Sequence, residues 1–359
     1  MKKLFLFFIA AALIAAFSVP AAAGDAEWNF YGSARFSTFS VDNSEEVAGA
    51  PHTPADDDQD TTWAQQGNSR IGANVSAGDV GGRFEYGFDT AGGDNIDLRL
   101  LYGTWNFGVG VLTLGQAYTP LDIILSNQVY GSDNDLVAYG TIYEGRQGMI
   151  QAKFGGFKVA LVEPFANTIG TVTAVGAEVD TTFPKLELAY TFSTDMFKVG
   201  VAGGYNTYEV ESDAKTYDID AWVAALWGQV NLGPAYIKAS VSQAQNAGAF
   251  GMINAGSDDF DFVANKVKDM DTLNYVAVAG VKLSDAFALE GGYGHVENES
   301  DVAGEKDDEA SSYYVQATIG LAPGVFIVPE IGKLDYDKNH ANAKEGDTTY
   351  FGAKWQINF

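Results

Sequence analysis

From Glu27 to its last residue the chain alternates: short stretches in which apolar and polar side chains take turns are separated by clusters of Gly, Pro, Asn, Asp and Ser. Successive side chains of a strand point to opposite faces, so this period of two predicts strands with one apolar and one polar face. In 27–40, Trp28, Phe30, Ala34 and Phe36 oppose Asn29, Ser33, Arg35 and Ser37; in 82–90, Phe84, Tyr86 and Phe88 oppose Arg83, Glu85 and Asp89. The last ten residues, Tyr350 to Phe359, set Phe351, Ala353, Trp355, Ile357 and Phe359 against Tyr350, Gly352, Lys354, Gln356 and Asn358. Dividing the chain at its turn signals predicts sixteen strands, at 27–40, 68–77, 82–90, 96–107, 110–116, 146–154, 157–163, 185–192, 197–208, 217–230, 235–245, 273–283, 286–296, 311–321, 325–336 and 348–359. The pattern weakens at Leu98 to Tyr102, where apolar residues occupy both parities, as expected of a wall segment packed against protein on its outer side.

The connections alternate as well. Short turns are followed by long acidic segments at 41–67, 117–145, 164–184, 246–272, 297–310 and 337–347. An even number of strands joined up and down, with short turns at one end and long loops at the other, predicts a closed antiparallel transmembrane β-barrel. A soluble sandwich would show the same alternation inverted, and a solenoid would repeat at a fixed short period, which this chain does not. Aromatic placement favours the barrel, because Trp28, Phe157, Phe197, Trp227, Phe287 and Trp355 share parity with the aliphatic residues, and many of the aromatics lie near strand ends, as interfacial girdles do. Closure also removes every sheet edge, which a membrane interior demands.

The amino-terminal residues do not join this pattern. Lys2 and Lys3, the apolar run from Leu4 to Phe17 and the small residues Ala21 to Ala23 read as a secretory signal, residues 1–23, leaving 24–359 as a single barrel domain. No later stretch approaches the length of a transmembrane helix. With no Cys there is neither a disulfide framework nor thiolate chemistry. A net charge of −26 excludes nucleic acid as a partner, and its acids concentrate between the strands. Asp56, Asp57, Asp58 and Asp60 offer oxygen ligands to calcium, but they lack the EF-hand spacing, so a solvated acidic loop is the simpler reading and no cofactor is expected. His52, His295 and His340 carry no local catalytic motif, so the chain does not read as an enzyme.

A sixteen-stranded barrel leaves an aqueous lumen that something must narrow. The connection after the fifth strand, 117–145, contains Leu121, Ile123, Ile124 and Leu125, which suit burial against a wall rather than free solvation. Folded inward, it would hold Asp122, Asp133, Asp135 or Glu144 towards the stream. All five arginines, Arg35, Arg70, Arg83, Arg99 and Arg146, fall in the first 146 residues, so several could share one wall opposite those acids. Such an arrangement would create a transverse field at the narrowest point.

The run Leu112 to Pro120 (LTLGQAYTP) is similar to the strand entering the constriction loop of trimeric Gram-negative general porins, and Gly145-Arg146 followed by Gln147 to Phe157 is similar to the strand leaving it. The terminal YFGAKWQINF resembles the closing strand of bacterial outer-membrane barrels, whose last Phe is part of the assembly signal. Gly233-Pro234-Ala235-Tyr236 and Pro329-Glu330-Ile331-Gly332 look most like the homotrimeric porins of sulfate-reducing bacteria. The resemblance implies a sixteen-stranded barrel, a homotrimer in the outer membrane among lipid and lipopolysaccharide, and a third external loop folded into the lumen. It also places Gln116 at the constriction, where many relatives have Arg. The expected function is passive diffusion of small hydrophilic solutes and ions, with a cation preference from the net charge. A channel selective for an oxyanion or a sugar, or a surface-structural or adhesive barrel, remains the alternative.

Overall fold

In a computed structural model the described residues are 26–43, 60–88, 96–166, 178–212, 215–256, 258–263 and 266–359. They form one closed antiparallel wall. Its first half comprises β1 (Glu27–Asn43), β2 (Asp60–Gln65, continued by Arg70–Ala77), β3 (Val80–Phe88), β4 (Ile96–Asn106), β5 (Val111–Tyr118), β6 (Arg146–Phe154), β7 (Phe157–Val162) and β8 (Glu178–Asp180, continued by Lys185–Ser193). The second half comprises β9 (Phe197–Ser212), β10 (Lys215–Leu232), β11 (Ala235–Gln245), β12 (Met270–Lys282), β13 (Phe287–Ser300), β14 (Asp308–Ala322), β15 (Val325–Lys338) and β16 (Lys344–Asn358). Each strand pairs with its neighbour, and β16 pairs with β1 from Ser33 opposite Asn358 to Asn43 opposite Thr348. The sixteen-stranded barrel expected from the alternation is therefore closed.

Two strands are broken in ways that the alternation did not reveal. The Asp60–Gln65 piece of β2 lies inside a stretch expected to be loop; it pairs with Val41 to Phe36 of β1, while Arg70–Ala77 pairs with Ser33 to Glu27. Between the pieces, Gln66 donates its N–H to the Arg35 carbonyl (3.0 Å) and Ser69 Oγ accepts the Arg35 N–H (3.0 Å), so the break costs β1 no backbone partner. In β8 the gap contains Pro184, which cannot donate to a ladder.

The irregular parity at 98–102 coincides with a shift of register. Glu85 of β3 lies opposite Leu100, and the next residue, Tyr86, lies opposite Leu98, so Arg99 is the extra residue of a β-bulge. The bulge re-aims Arg99, whose guanidinium meets the inner-face carboxylate of Glu85.

Facing is clear along β16. Trp355 is 46% exposed and Phe359 72%, whereas Lys354 and Gln356 are each 7% exposed and Tyr350 is fully buried. The outer face thus carries the large apolar side chains, as contact with lipid requires, and the inner face is covered by protein. The inner face of β9, β10 and β12 carries an apolar stretch. Val210, Ile219, Val223, Val276 and Val278 form one buried cluster with Leu121, Ile123, Leu125, Leu136 and Ile142 from the β5–β6 connection. Burying these aliphatics stabilises the connection in its position by about 1.5–3 kcal/mol for each large side chain.

Closure has little room at Gly352. A Cβ there would lie 2.2 Å from the Thr38 carbonyl oxygen and 2.5 Å from Phe39 Cα, both on β1. Gly352→Val is expected to strain the β16–β1 seam by about 1–3 kcal/mol, and to lower the temperature at which the folded barrel loses its distinct migration on SDS gels. An unchanged transition temperature would show that the seam relaxes without cost.

Candidate pore site

Residues 119–145, between β5 and β6, are held against inner-face side chains of the wall. At the root, Asp122 accepts the Thr119 N–H (2.8 Å) and the Glu144 N–H (3.1 Å). Glu144 accepts from Thr119 Oγ1 and is ion-paired to Lys185 of β8. Leu121 N–H reaches Glu187, and Lys185 also donates to the Phe250 carbonyl (3.1 Å) in the short helix α1, Ala247–Phe250. The connection following β11 therefore takes part in the same anchorage. Its Ile253 and Ala255 N–H groups donate to the carbonyls of Tyr143 and Ala138.

The middle of the segment is gripped by wall carboxylates. Glu290 of β13 accepts from Asn127 N–H (2.9 Å) and Asn127 Nδ2 (2.6 Å). Glu330 of β15 accepts from Val129 N–H (2.8 Å) and Tyr130 N–H (3.0 Å). Segments without regular structure need such partners, since an unmet buried N–H costs about 1–3 kcal/mol. Tyr130 stacks on Tyr350 of β16, with ring centres 3.8 Å apart.

At the tip, Asp133 sits between Arg35 of β1 and Lys354 of β16, whose Nζ is 2.8 Å away. The break in β2 clasps the same turn: Gln66 Nε2 donates to the Gly131 carbonyl (2.8 Å) and Asn68 Nδ2 to the Ser132 carbonyl (2.6 Å). Asp133, Asp135, Leu136 and Ala138 all have positive φ, an unusual density of left-handed non-glycine residues. The surrounding bonds maintain this strained path.

Beside the tip, towards β2–β6, lies a cavity of about 530 Å³. Arg35, Arg70, Arg99 and Arg146 line it from the wall, and Ile124, Asp133, Asp135, Val137 and Tyr143 from the inward segment. Phe88, Asp97 and Tyr118 also contribute. Arg70 and Arg99 are held from behind by the buried Glu85, which receives Arg99 Nε at 2.8 Å, Arg83 Nη2 at 2.9 Å and Tyr31 Oη at 2.7 Å, with Arg70 Nη1 at 3.5 Å. Arg146 instead lies over the Tyr118 ring, 5.6 Å from its centre, and donates to Tyr118 Oη (3.3 Å).

The structure brings Arg35, Arg70, Arg99, Arg146, Asp133 and Asp135 together around this cavity. Arg83 does not line it; it rests on Glu85 and the Tyr31 ring. Asp122 and Glu144 are anchoring groups at the root and do not line it either. Gln116 requires a correction: it shares the outward parity of Leu114 and lies opposite the exposed Leu101, so it does not face the lumen. Its Nε2 donates to the carbonyls of Leu98 (2.9 Å) and Arg99 (3.2 Å), the backbone disturbed by the bulge. Asp56, Asp57 and Asp58 lie outside the described residues, as do residues 1–23, and Asp60 is the exposed first residue of β2. Glu85, Tyr118 and Tyr143 were not singled out as site residues from sequence, and Ile124, expected to be buried against the wall, is instead 39% exposed and lines the cavity. For Glu85 a signal existed, since it shares the polar parity of Arg83 two residues away.

A closed β-barrel with a segment folded onto its inner wall and a polar cavity beside it defines a membrane channel of the diffusion type. The chain belongs to the Gram-negative porin family, whose model matches residues 10–339. It is an outer-membrane, multi-pass β-barrel channel for passive diffusion. Its fold is similar to the outer membrane channel DcaP of Acinetobacter baumannii, with a TM-score of 0.70 and 14% identity over 95% of this chain and 99% of that one. It is also similar to the trimer form of OmpT, an outer membrane protein of Vibrio cholerae (TM-score 0.57, 17% identity, 93% and 99% covered). The third is Salmonella typhi OmpF in complex with daunomycin (0.58, 12%, 92% and 97%). At these identities the likeness is one of fold. Among curated proteins, none matches the chain by sequence.

The root carries a pH dependence. Burial, and then the charge of Glu144, push the Asp122 carboxyl up to about 7, against the backbone N–H groups that favour its ionised form. A free Asp titrates near 4, so between those values the docked segment binds a proton that an undocked one does not. Docking is therefore strongest at low pH and weakens as pH rises to about 7. Open-channel current noise is expected to increase between pH 5 and 8, and Asp122→Asn to remove that increase. Noise that is independent of pH in the unaltered protein would refute this.

Proposed function

We propose that this chain, after removal of residues 1–23, works as a homotrimer through which small hydrophilic solutes and ions diffuse, and that the passage between the arginine wall and the Asp133–Val137 turn is the narrowest point. The observation that carries this reading is the opposition of Arg35, Arg70, Arg99 and Arg146 to an inward segment that is bonded along its length to the other side of the wall. A segment tethered at root, middle and tip keeps a fixed aperture, and fixed charges there act on every ion that passes. The trimeric form of the Vibrio cholerae relative supports the assembly.

For ions, the net charge of −26 favours cations at the mouth. Around the cavity the balance is reversed. Four guanidinium groups meet Asp97, Asp133 and Asp135, and burial, then the charge of Asp133, holds the Asp135 carboxyl well above the usual carboxylate range. Selectivity is set where the field is most focused, so we infer a preference for anions at this step, in place of the cation preference expected from composition. In a planar bilayer the protein should open in three equal conductance steps, and under a tenfold KCl gradient the reversal potential should take the sign of chloride. Arg146→Glu should shift the chloride-to-potassium permeability ratio towards potassium by roughly tenfold. A potassium-signed potential in the unaltered protein would refute the anion preference.

A further inference from the structure

We propose that the cavity is a transit subsite for small organic carboxylates with an aromatic or branched aliphatic body, which rests on the channel reading above and narrows its solute class. One side of the cavity is a surplus of donors. Arg35 shares Asp133 with Lys354, and Arg70, Arg83 and Arg99 converge on the single carboxylate of Glu85. A guanidinium carries five N–H donors in a planar fork, more than these shared acceptors engage. Arg146 forms no ion pair among the described residues, and it lines the cavity with its guanidinium carbon 5.6 Å from the centre of the Tyr118 ring. That geometry suits a carboxylate bound through two parallel hydrogen bonds.

The other side, next to Asp133 and Asp135, also carries an apolar strip that an ion pathway does not need. Within the inward segment Leu121, Ile123 and Leu125 are 0%, 8% and 6% exposed, because they pack on the wall, whereas Ile124 is 39% exposed and lines the cavity. Val137 and Tyr143 lie along the same side. An isoleucine held towards water gains nothing from water, but it gains from contact with the body of a solute whose charged end is held opposite. An inorganic oxyanion has no apolar body to use that side, and a sugar has no charge to use the arginines. The cavity of about 530 Å³ is within the range of small-molecule sites.

The test compares benzoate, acetate and benzamide as blockers of single-channel current in the full-length protein reconstituted in a planar bilayer. Benzoate is expected to half-block at a concentration about tenfold below that of acetate, which corresponds to about 1.4 kcal/mol, and benzamide is expected not to block at all. Arg146→Gln should weaken block by both acids about tenfold. Ile124→Ser should weaken block by benzoate alone and bring it to the level of acetate. If Ile124→Ser fails to give the heat-sensitive gel migration of a folded barrel, Ile124→Thr serves the same comparison. Equal block by benzoate and acetate in the unaltered protein, or equal loss for both acids on changing Ile124, overturns the subsite. Absence of any conductance in KCl alone, recorded before organic acid is added, would overturn the channel reading instead.

Discussion

Every backbone N–H and C=O in the hydrocarbon region must find its partner within the protein, because there is no water to supply one. The pairing of β16 with β1 satisfies this for the whole wall at once. Remaining features are accommodated to that ring. The break in β2 occurs where Gln66 and the side chain of Ser69 take over the bonds of Arg35, and the bulge at Arg99 is compensated by the amide of Gln116. A residue that looks as though it should face the stream is instead repairing the wall from outside.

Enclosure changes what the inner face is for. Part of it is dry. On β9, β10 and β12 inward aliphatics receive the aliphatics of 119–145, forming a hydrophobic core inside the barrel. Another part, on β1, β2, β4 and β6, lines the cavity and carries the arginines. The inward segment is thus packed on the wall on one side, and its backbone is met by Glu290 and Glu330 as a helix or sheet would be met by its own ladder.

Strand positions and facing were legible because a single physical rule, the alternation of side chains, operates over the whole wall. Arg146–Phe154 and Ala235–Gln245 match the expected bounds, and both faces of β16 follow its parity. The site was legible only in part. Arg35 and Arg70 follow parity, so their inward aim could be read; Arg99 depends on a bulge, which requires knowing the partner strand. Among the acids of 117–145, all four candidates look alike in sequence, yet two secure the root and two reach the cavity, a distinction made by long-range contacts with Lys185 and Arg35. Ile124 was obscured for the same reason: three of the four aliphatics in its run are buried, and nothing local marks the fourth.

The convergence of Arg70, Arg83 and Arg99 on Glu85 makes the basic wall unequal in its tolerance of change. Any one of these arginines can be exchanged and the carboxylate still has two partners, so the charge of the passage is open to drift in small steps. Glu85 has no such freedom, because its loss would leave three guanidinium groups crowded in one partly dry corner. The acid hidden behind the wall is therefore under tighter constraint than the bases in view of the solute.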